Sequence, residues 1–180
     1  MGMRIALSGK MRSGKDTVAK ILIDEYCFNK LAYGDGIRKV CEYLFPDEMK
    51  GKKNRTLGQK VAMTLRSLDD NVWSNLLLRE IDRITPKDVN IIVTDLRFPN
   101  EYDSLKNLGF YIVKVIASED IRVQRIIDAG DQYRTEDLVH TSEEYIDQFH
   151  YDYEINNDAS VENLKIKTIA MLNCLRILNP

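Results

Sequence analysis

Apolar positions along this chain switch repeatedly between strand-like runs and helical spacing. Met3–Ser8, with Ile5, Ala6 and Leu7 at its centre, reads as a first strand. Lys15–Tyr26 then puts Val18, Ile21, Leu22 and Tyr26 on one helical face. Lys30–Tyr33 predicts a short strand. Ile37–Phe45 predicts a helix with Val40, Cys41 and Leu44 inward, ended by Pro46. Met49–Asn54 is polar and lysine-rich and reads as an exposed loop, followed by helices over Arg55–Leu68 and Val72–Ile84. Val89–Thr94 is a continuous apolar, β-branched run, the pattern of a central parallel strand buried on both faces. A helix over Glu101–Leu108 stops at Gly109, a strand covers Phe110–Ile116, and a charged helix covers Glu119–Ala129. Thr141 with Glu144 forms a capping box that starts another helix. Tyr153–Asn156 is a short strand and Ser160–Leu178 a long amphipathic helix. Strands alternating with helices predict an α/β fold with a parallel sheet, in one domain over residues 1–180. Ligands of such sheets bind at the strand carboxyl ends, so Gly9–Lys15 and Asp95–Arg97 should share one edge.

Between the first strand and helix stands Gly9-Lys10-Met11-Arg12-Ser13-Gly14-Lys15-Asp16-Thr17. Strand, glycine loop and helix in this order make a phosphate-binding loop of the Walker A kind. Glycines allow a turn whose N–H groups surround an anion, and the helix starting near Lys15 adds its positive end. Lys15 reaches the β and γ phosphates of ATP or GTP. Where the common form has Ser or Thr after the lysine, this chain has Asp16, with Thr17 next. Both offer oxygen to magnesium, which favours carboxylates, and Thr17 also offers its hydroxyl to a phosphate.

At the end of the fully apolar strand, Thr94-Asp95-Leu96-Arg97 leads to Glu101. Asp95 is placed like the acid that holds magnesium or its waters. Arg97 suits an acceptor phosphate through its planar fork, with Glu101 turned back toward the cleft; the bland alternative is a surface Arg97–Glu101 ion pair. Arg122, Arg125 and Arg134 read either as a closing lid or as a solvated face. Trp73, after Asp69-Asp70, is a core anchor or a nucleobase contact. Asn156-Asn157-Asp158 makes a turn and cap before Ser160, and could border the donor base.

Composition narrows the partners. The chain has 180 residues, 44% of them hydrophobic, and a net charge of −2. No global basic surface favours nucleic acid, and no apolar stretch approaches a bilayer span. Cys27, Cys41 and Cys174 are scattered and show no metal spacing, which fits reduced thiols in the cytoplasm.

With these residues in view, the chain resembles the deoxynucleoside monophosphate kinases of bacteriophages and their bacterial relatives. The resemblance is carried by Leu7–Lys10 with Arg12–Thr17, by Leu31–Arg38, by Arg55–Trp73 and by Thr94–Arg97 with Glu101, and more loosely by His140–Glu143 and Asn157–Ser160. It implies a three-layer α/β/α P-loop kinase fold with a helical acceptor-binding part over about residues 35–85 and a lid over about 118–140. It implies ATP as donor, Mg2+ held by Asp16, Thr17 and Asp95, and a nucleoside monophosphate acceptor held by Arg38, Arg66, Asp70, Trp73, Asp95, Arg97 and Glu101. Lys15, Arg97, Arg122 and Arg125 become the catalytic set; Gly9, Lys10, Met11, Arg12, Ser13, Gly14, Lys15, Asp16, Thr17, Asn157 and Asp158 become the ATP site. The assembly implied is a monomer or homodimer. Many relatives end the lid helix with Arg-Gly; here it reads Ala129-Gly130, with Arg134 as the replacement. Phosphomevalonate or dephospho-CoA as acceptor, or a nucleotide-dependent regulatory protein, are the alternative readings.

Overall fold

The structure, a computed structural model, describes residues 2–51, 54–84, 86, 88–129 and 145–177. The strands are β1 (Arg4–Ser8), β2 (Asn29–Leu31), β3 (Ile91–Leu96), β4 (Tyr111–Ile116) and β5 (Tyr153–Asn156). The helices are α1 (Lys15–Tyr26), α2 (Tyr33–Leu44), α3 (Pro46–Met49), α4 (Arg55–Leu68), α5 (Val72–Arg83), α6 (Pro99–Asn107), α7 (Glu119–Asp128) and α8 (Val161–Ile177), with a 3-10 turn at Tyr145–Gln148.

All four strand pairings are parallel, in the order β2-β3-β1-β4-β5. The chain leaves the central β1 toward β2 on one side and returns through β3. It then crosses to β4 on the other side, so the direction of winding reverses at β1. A parallel sheet opens a crevice at such a reversal, beyond the strand carboxyl ends, and the glycine loop leaves β1 there.

The alternation of β1 assigns its side chains to two cores. Ile5 and Leu7 join Val18, Ala19 and Leu22 of α1 and Leu164, Met171, Leu172 and Leu175 of α8. Ala6 faces the other way, into Trp73, Leu77 and Ile81 of α5 and Leu105 of α6. Helices therefore cover both faces, which is why β3 reads as an unbroken apolar run. The predicted α/β/α layering with a parallel sheet is the observed one.

Several boundaries moved for physical reasons. Helix α2 starts at Tyr33, not Ile37, because a carboxylate from β3 accepts its first amides (below). Leu44, expected inward, is exposed, while Val40 packs on the core and Cys41 is buried. Part of the expected Met49–Asn54 loop is occupied differently: Pro46 ends α2 but also opens the single turn α3, which reaches Met49. Strand β3 begins two residues later than Val89, because Asn90 is used as a clasp. Its Oδ1 accepts from Met3 N (2.9 Å) and its Nδ2 donates to Tyr26 O (3.2 Å). The Thr141–Glu144 capping box, His140–Glu143, Arg134 and residues 130–140 of the expected lid lie outside the described residues. None of the helices among the described residues is long and apolar enough to cross a membrane.

Candidate functional site

The glycine loop leaves β1 and is held from behind by side chains from the far end of the chain. Asn157 Nδ2 donates to Ser13 O (2.8 Å). Arg125 donates from Nη1 to Arg12 O (3.2 Å) and Ser13 O (3.4 Å), and from Nη2 to Asn157 O (2.9 Å). Arg122, only 5% exposed, reaches Met11 O at 3.5 Å. On the opposite flank, Lys10 pairs with Asp147 (3.1 Å), which also accepts from Lys114 (2.9 Å). These lysines, Lys114 first, hold the Asp147 carboxyl below the usual range. Lys15 Nζ donates to Gly9 O (2.6 Å) and Lys10 O (2.9 Å) at the head of α1. The loop's carbonyls are thus occupied by cationic or amide donors, which fixes its shape in advance of any ligand.

One glycine makes this packing possible. Gly14 has φ of +105°, and a Cβ built there would stand 2.1 Å from Asn157 Nδ2. Gly14→Ala is therefore expected to strain the backbone and evict Asn157, at about 1–3 kcal/mol. Thermal unfolding should show it as a midpoint roughly 2–12 °C lower. An unchanged midpoint would mean that Asn157 is not locked against the loop.

The loop forms one side of a cleft of about 890 Å3. On that side stand Met11, Arg12, Gly14, Lys15, Asp16 and Thr17, with Arg125, Asp128 and Ala129 of α7 and Asn157 after β5. The far side is made of Lys30 and Ala32, Asp35, Ile37, Arg38 and Cys41 of α2, and Asn54, Arg55 and Gly58 around the start of α4. Thr94, Asp95 and Arg97 lie between, at the end of β3. The two segments expected to share an edge do share it. Arg38 is tied to Asp35 (3.3 Å) and lies 3.8 Å from Glu42.

Asp95 does something its place in the sequence did not announce. Its Oδ1 accepts from Tyr33 N (2.9 Å) and its Oδ2 from Gly34 N (2.8 Å). Burial raises its carboxyl above the usual range, while the two amides and Arg97 pull the other way. Asp16 is exposed on the first turn of α1, beside the partly buried Thr17. These two supply only oxygen donors, a chemistry that suits a hard cation such as magnesium. Among the described residues no group of three or more His, Cys, Asp or Glu side chains gathers as a metal site.

Besides Gly9, Lys10, Ser13 and Arg122, five residues picked from the sequence stand apart from the cleft's described lining. Glu101 is 2% exposed and caps α6: Oε2 accepts from Arg97 N (3.0 Å) and Phe98 N (3.1 Å), and Oε1 pairs with Arg66 (3.0 Å). The Arg66 guanidinium also lies 3.8 Å over the Phe98 ring. Burial pushes the Glu101 carboxyl upward against these three donors. The surface Arg97–Glu101 pair is replaced by this interior Arg66–Glu101 pair. Trp73 is in the core and donates from Nε1 to Ala62 O (3.1 Å); its edge borders a second cavity of about 230 Å3 behind α2. Asp70 is exposed in the turn before α5, where its carbonyl accepts from Asn100 (2.7 Å). Asp158 accepts from Ser118 N (2.8 Å), which lowers its carboxyl, and so ties β5 to the start of α7.

Sequence reasoning passed over Lys30, Asp35, Arg55 and Asp128, all of which line the cleft. Arg55 left a signal. It opens α4 directly after the cap Asn54, whose Oδ1 accepts from Leu57 N (3.1 Å). A cation at a helix N-terminus opposes the helix dipole, so its presence there is not explained by helix stability.

Among curated proteins, the chain is 30% identical over 148 residues to "Putative deoxynucleotide monophosphate kinase" of Acanthamoeba polyphaga mimivirus, covering 64% of this chain and 77% of that one. The chain belongs to the deoxynucleotide monophosphate kinase family. It is also 27% identical over 169 residues to "Uncharacterized protein ORF77" of Ictalurid herpesvirus 1, spanning 66% of that protein's length and 89% of its own. No family model matches the chain. Solved structures share the fold at low identity. TT1252 from Thermus thermophilus superposes with a TM-score of 0.64 at 21% identity, covering 96% of this chain and 97% of that one. Dephospho-CoA kinase from Campylobacter jejuni gives 0.63 at 14%, with full coverage of both. Shikimate kinase from Aquifex aeolicus gives 0.53 at 17%, covering 99% of this chain and all of that one. In this deoxynucleotide monophosphate kinase relative, residues of α2, α4 and α7 line the cleft together with the glycine loop.

Proposed function

We propose that the chain transfers the γ-phosphoryl group of ATP to the phosphate of a nucleoside monophosphate, preferentially a deoxynucleotide. The observation that carries this reading is the charge layout of one cleft. Arg12, Lys15 and Arg125 stand on the glycine-loop side, and Lys30, Arg38, Arg55 and Arg97 stand on the other side or at the end of β3. Two groups of cations facing a common space suit two phosphorylated substrates, a donor and an acceptor.

In this reading the loop and Lys15 hold the donor's β and γ phosphates. Arg38, Arg55 and Arg97 hold the acceptor phosphate and bring its oxygen in line with the γ phosphorus. The bond from that phosphorus to the leaving ADP oxygen breaks as the bond to the acceptor oxygen forms. Little covalent work falls to the protein, because positioning and electrostatics dominate this chemistry. Arg125 and Arg122 act by holding the loop's backbone and adding positive charge beside it. Asp16 and Thr17 are the oxygen donors for magnesium, which when bound neutralises charge on the phosphates. Arg66 and Glu101 support the Arg97 backbone from outside the cleft. One domain over residues 1–180, a cytoplasmic location and a monomeric or homodimeric state complete the proposal.

The test is ADP release from ATP and magnesium with a panel of deoxy- and ribonucleoside monophosphates, phosphomevalonate and dephospho-CoA. Release that depends on one or a few nucleoside monophosphates is expected. Release dependent on phosphomevalonate or dephospho-CoA alone would replace the acceptor. Slow release indifferent to every acceptor would overturn the kinase reading in favour of a nucleotide-dependent regulatory protein.

A further inference from the structure

Helix α2 begins without a cap of its own. Its N-cap position is Ala32, in extended geometry (φ −151°, ψ 143°), and no side chain at that position accepts from the first turn. A helix leaves its first amides unpaired, and Ser, Asp or Asn at this position normally serves them. Here the service comes from 62 residues away, since Asp95 accepts from Tyr33 N through one oxygen and from Gly34 N through the other. The approach is close enough that a Cβ on Gly34 would stand 3.2 Å from Asp95 Oδ2. What Asp95 holds matters, because the same helix carries Asp35, Ile37, Arg38 and Cys41 of the cleft wall.

We propose that Asp95 is a positioning residue: it caps α2 from β3, fixes the wall that carries Arg38 to the end of the strand that carries Arg97, and thereby sets the spacing of the acceptor site. Both its oxygens accept from backbone amides, so its part in the site is to hold the start of α2, with Asp16 and Thr17 as the oxygen donors for a divalent cation. The part of this inference that concerns the acceptor rests on the function proposed above; the cap itself does not.

The experiment compares the wild type with Asp95→Asn and with Asp95→Asn combined with Ala32→Asp, which supplies a cap at the helix's own N-cap position. Asp95→Asn keeps the side chain's size but turns an NH2 group toward one of the two amides. Hydrogen exchange at Tyr33 and Gly34, measured without metal or substrate, should quicken about five- to thirty-fold. In assays, acceptor KM should rise while the magnesium concentration giving half-maximal rate stays put. Adding Ala32→Asp should restore slow exchange, and should restore folding if Asp95→Asn alone folds poorly. Unchanged exchange in Asp95→Asn, or a shifted magnesium requirement that Ala32→Asp does not correct, would overturn the proposal. If no nucleoside monophosphate is an acceptor, the proposed function fails on the substrate panel, while the exchange data still decide whether Asp95 caps α2.

Discussion

Replacing Lys15 with alanine is expected to lower turnover about 10²–10³-fold, the cost of removing one preorganised charged donor from a transferring group. The fold should survive. Lys15 Nζ donates to the Gly9 and Lys10 carbonyls in a partly exposed position, and such bonds contribute about 0.5–1.5 kcal/mol each. Activity and stability therefore separate: a steady-state assay should show the loss while the denaturant midpoint moves little. Lys15→Arg should not restore the rate, because a planar fork does not replace a compact ammonium at the end of a flexible stem. Near-normal turnover in Lys15→Ala would remove Lys15 from the phosphate site.

Glu101→Ala is expected to do the reverse, costing about 3–5 kcal/mol of stability, the range for breaking a buried pair from one side. The change strips the acceptor from Arg66 and from the amides of Arg97 and Phe98 together, at a site only 2% exposed. Glu101→Gln keeps the volume and one acceptor oxygen, and should cost less, about 1–3 kcal/mol. Urea unfolding measures both. A loss below about 1 kcal/mol for Glu101→Ala would place this side chain among ordinary surface carboxylates. Because Arg97 lines the cleft through a backbone that Glu101 holds, the surviving folded fraction should also show a raised acceptor KM.

The two sites differ in how far the sequence discloses them. Lys15 is legible because its neighbours in the chain are its neighbours in space: Gly9, Gly14 and the head of α1 lie within a few residues. The burial of β3 was legible as well, since an unbroken apolar β-branched run has few other places to go. Glu101 was legible as polar but not as interior. Its spacing from Arg97 suggested a turn toward the cleft or a local surface pair, whereas its charged partner Arg66 lies 35 residues away on α4. Trp73, after two acidic residues at the head of a helix, read as a core anchor or a nucleobase contact, and it lies buried in one core cluster with Ala6, Leu77 and Ile112.

The sequence by itself determined the strand–loop–helix order, the nine-residue glycine loop with its lysine, the parallel α/β class and the edge on which the site opens. These are properties of local spacing, because periods of 2 and 3.6 residues decide which side chains share a face. Only the tertiary structure decided who holds whom: Asn157 against Ser13 across 144 residues, Arg125 against Arg12 across 113, and Asp95 against the start of α2 across 62. Each of these joins a side chain to a backbone group. Every residue carries nearly the same amide and carbonyl, so the partner leaves no mark on the sequence, and only the packing of the sheet and its two helical layers selects it.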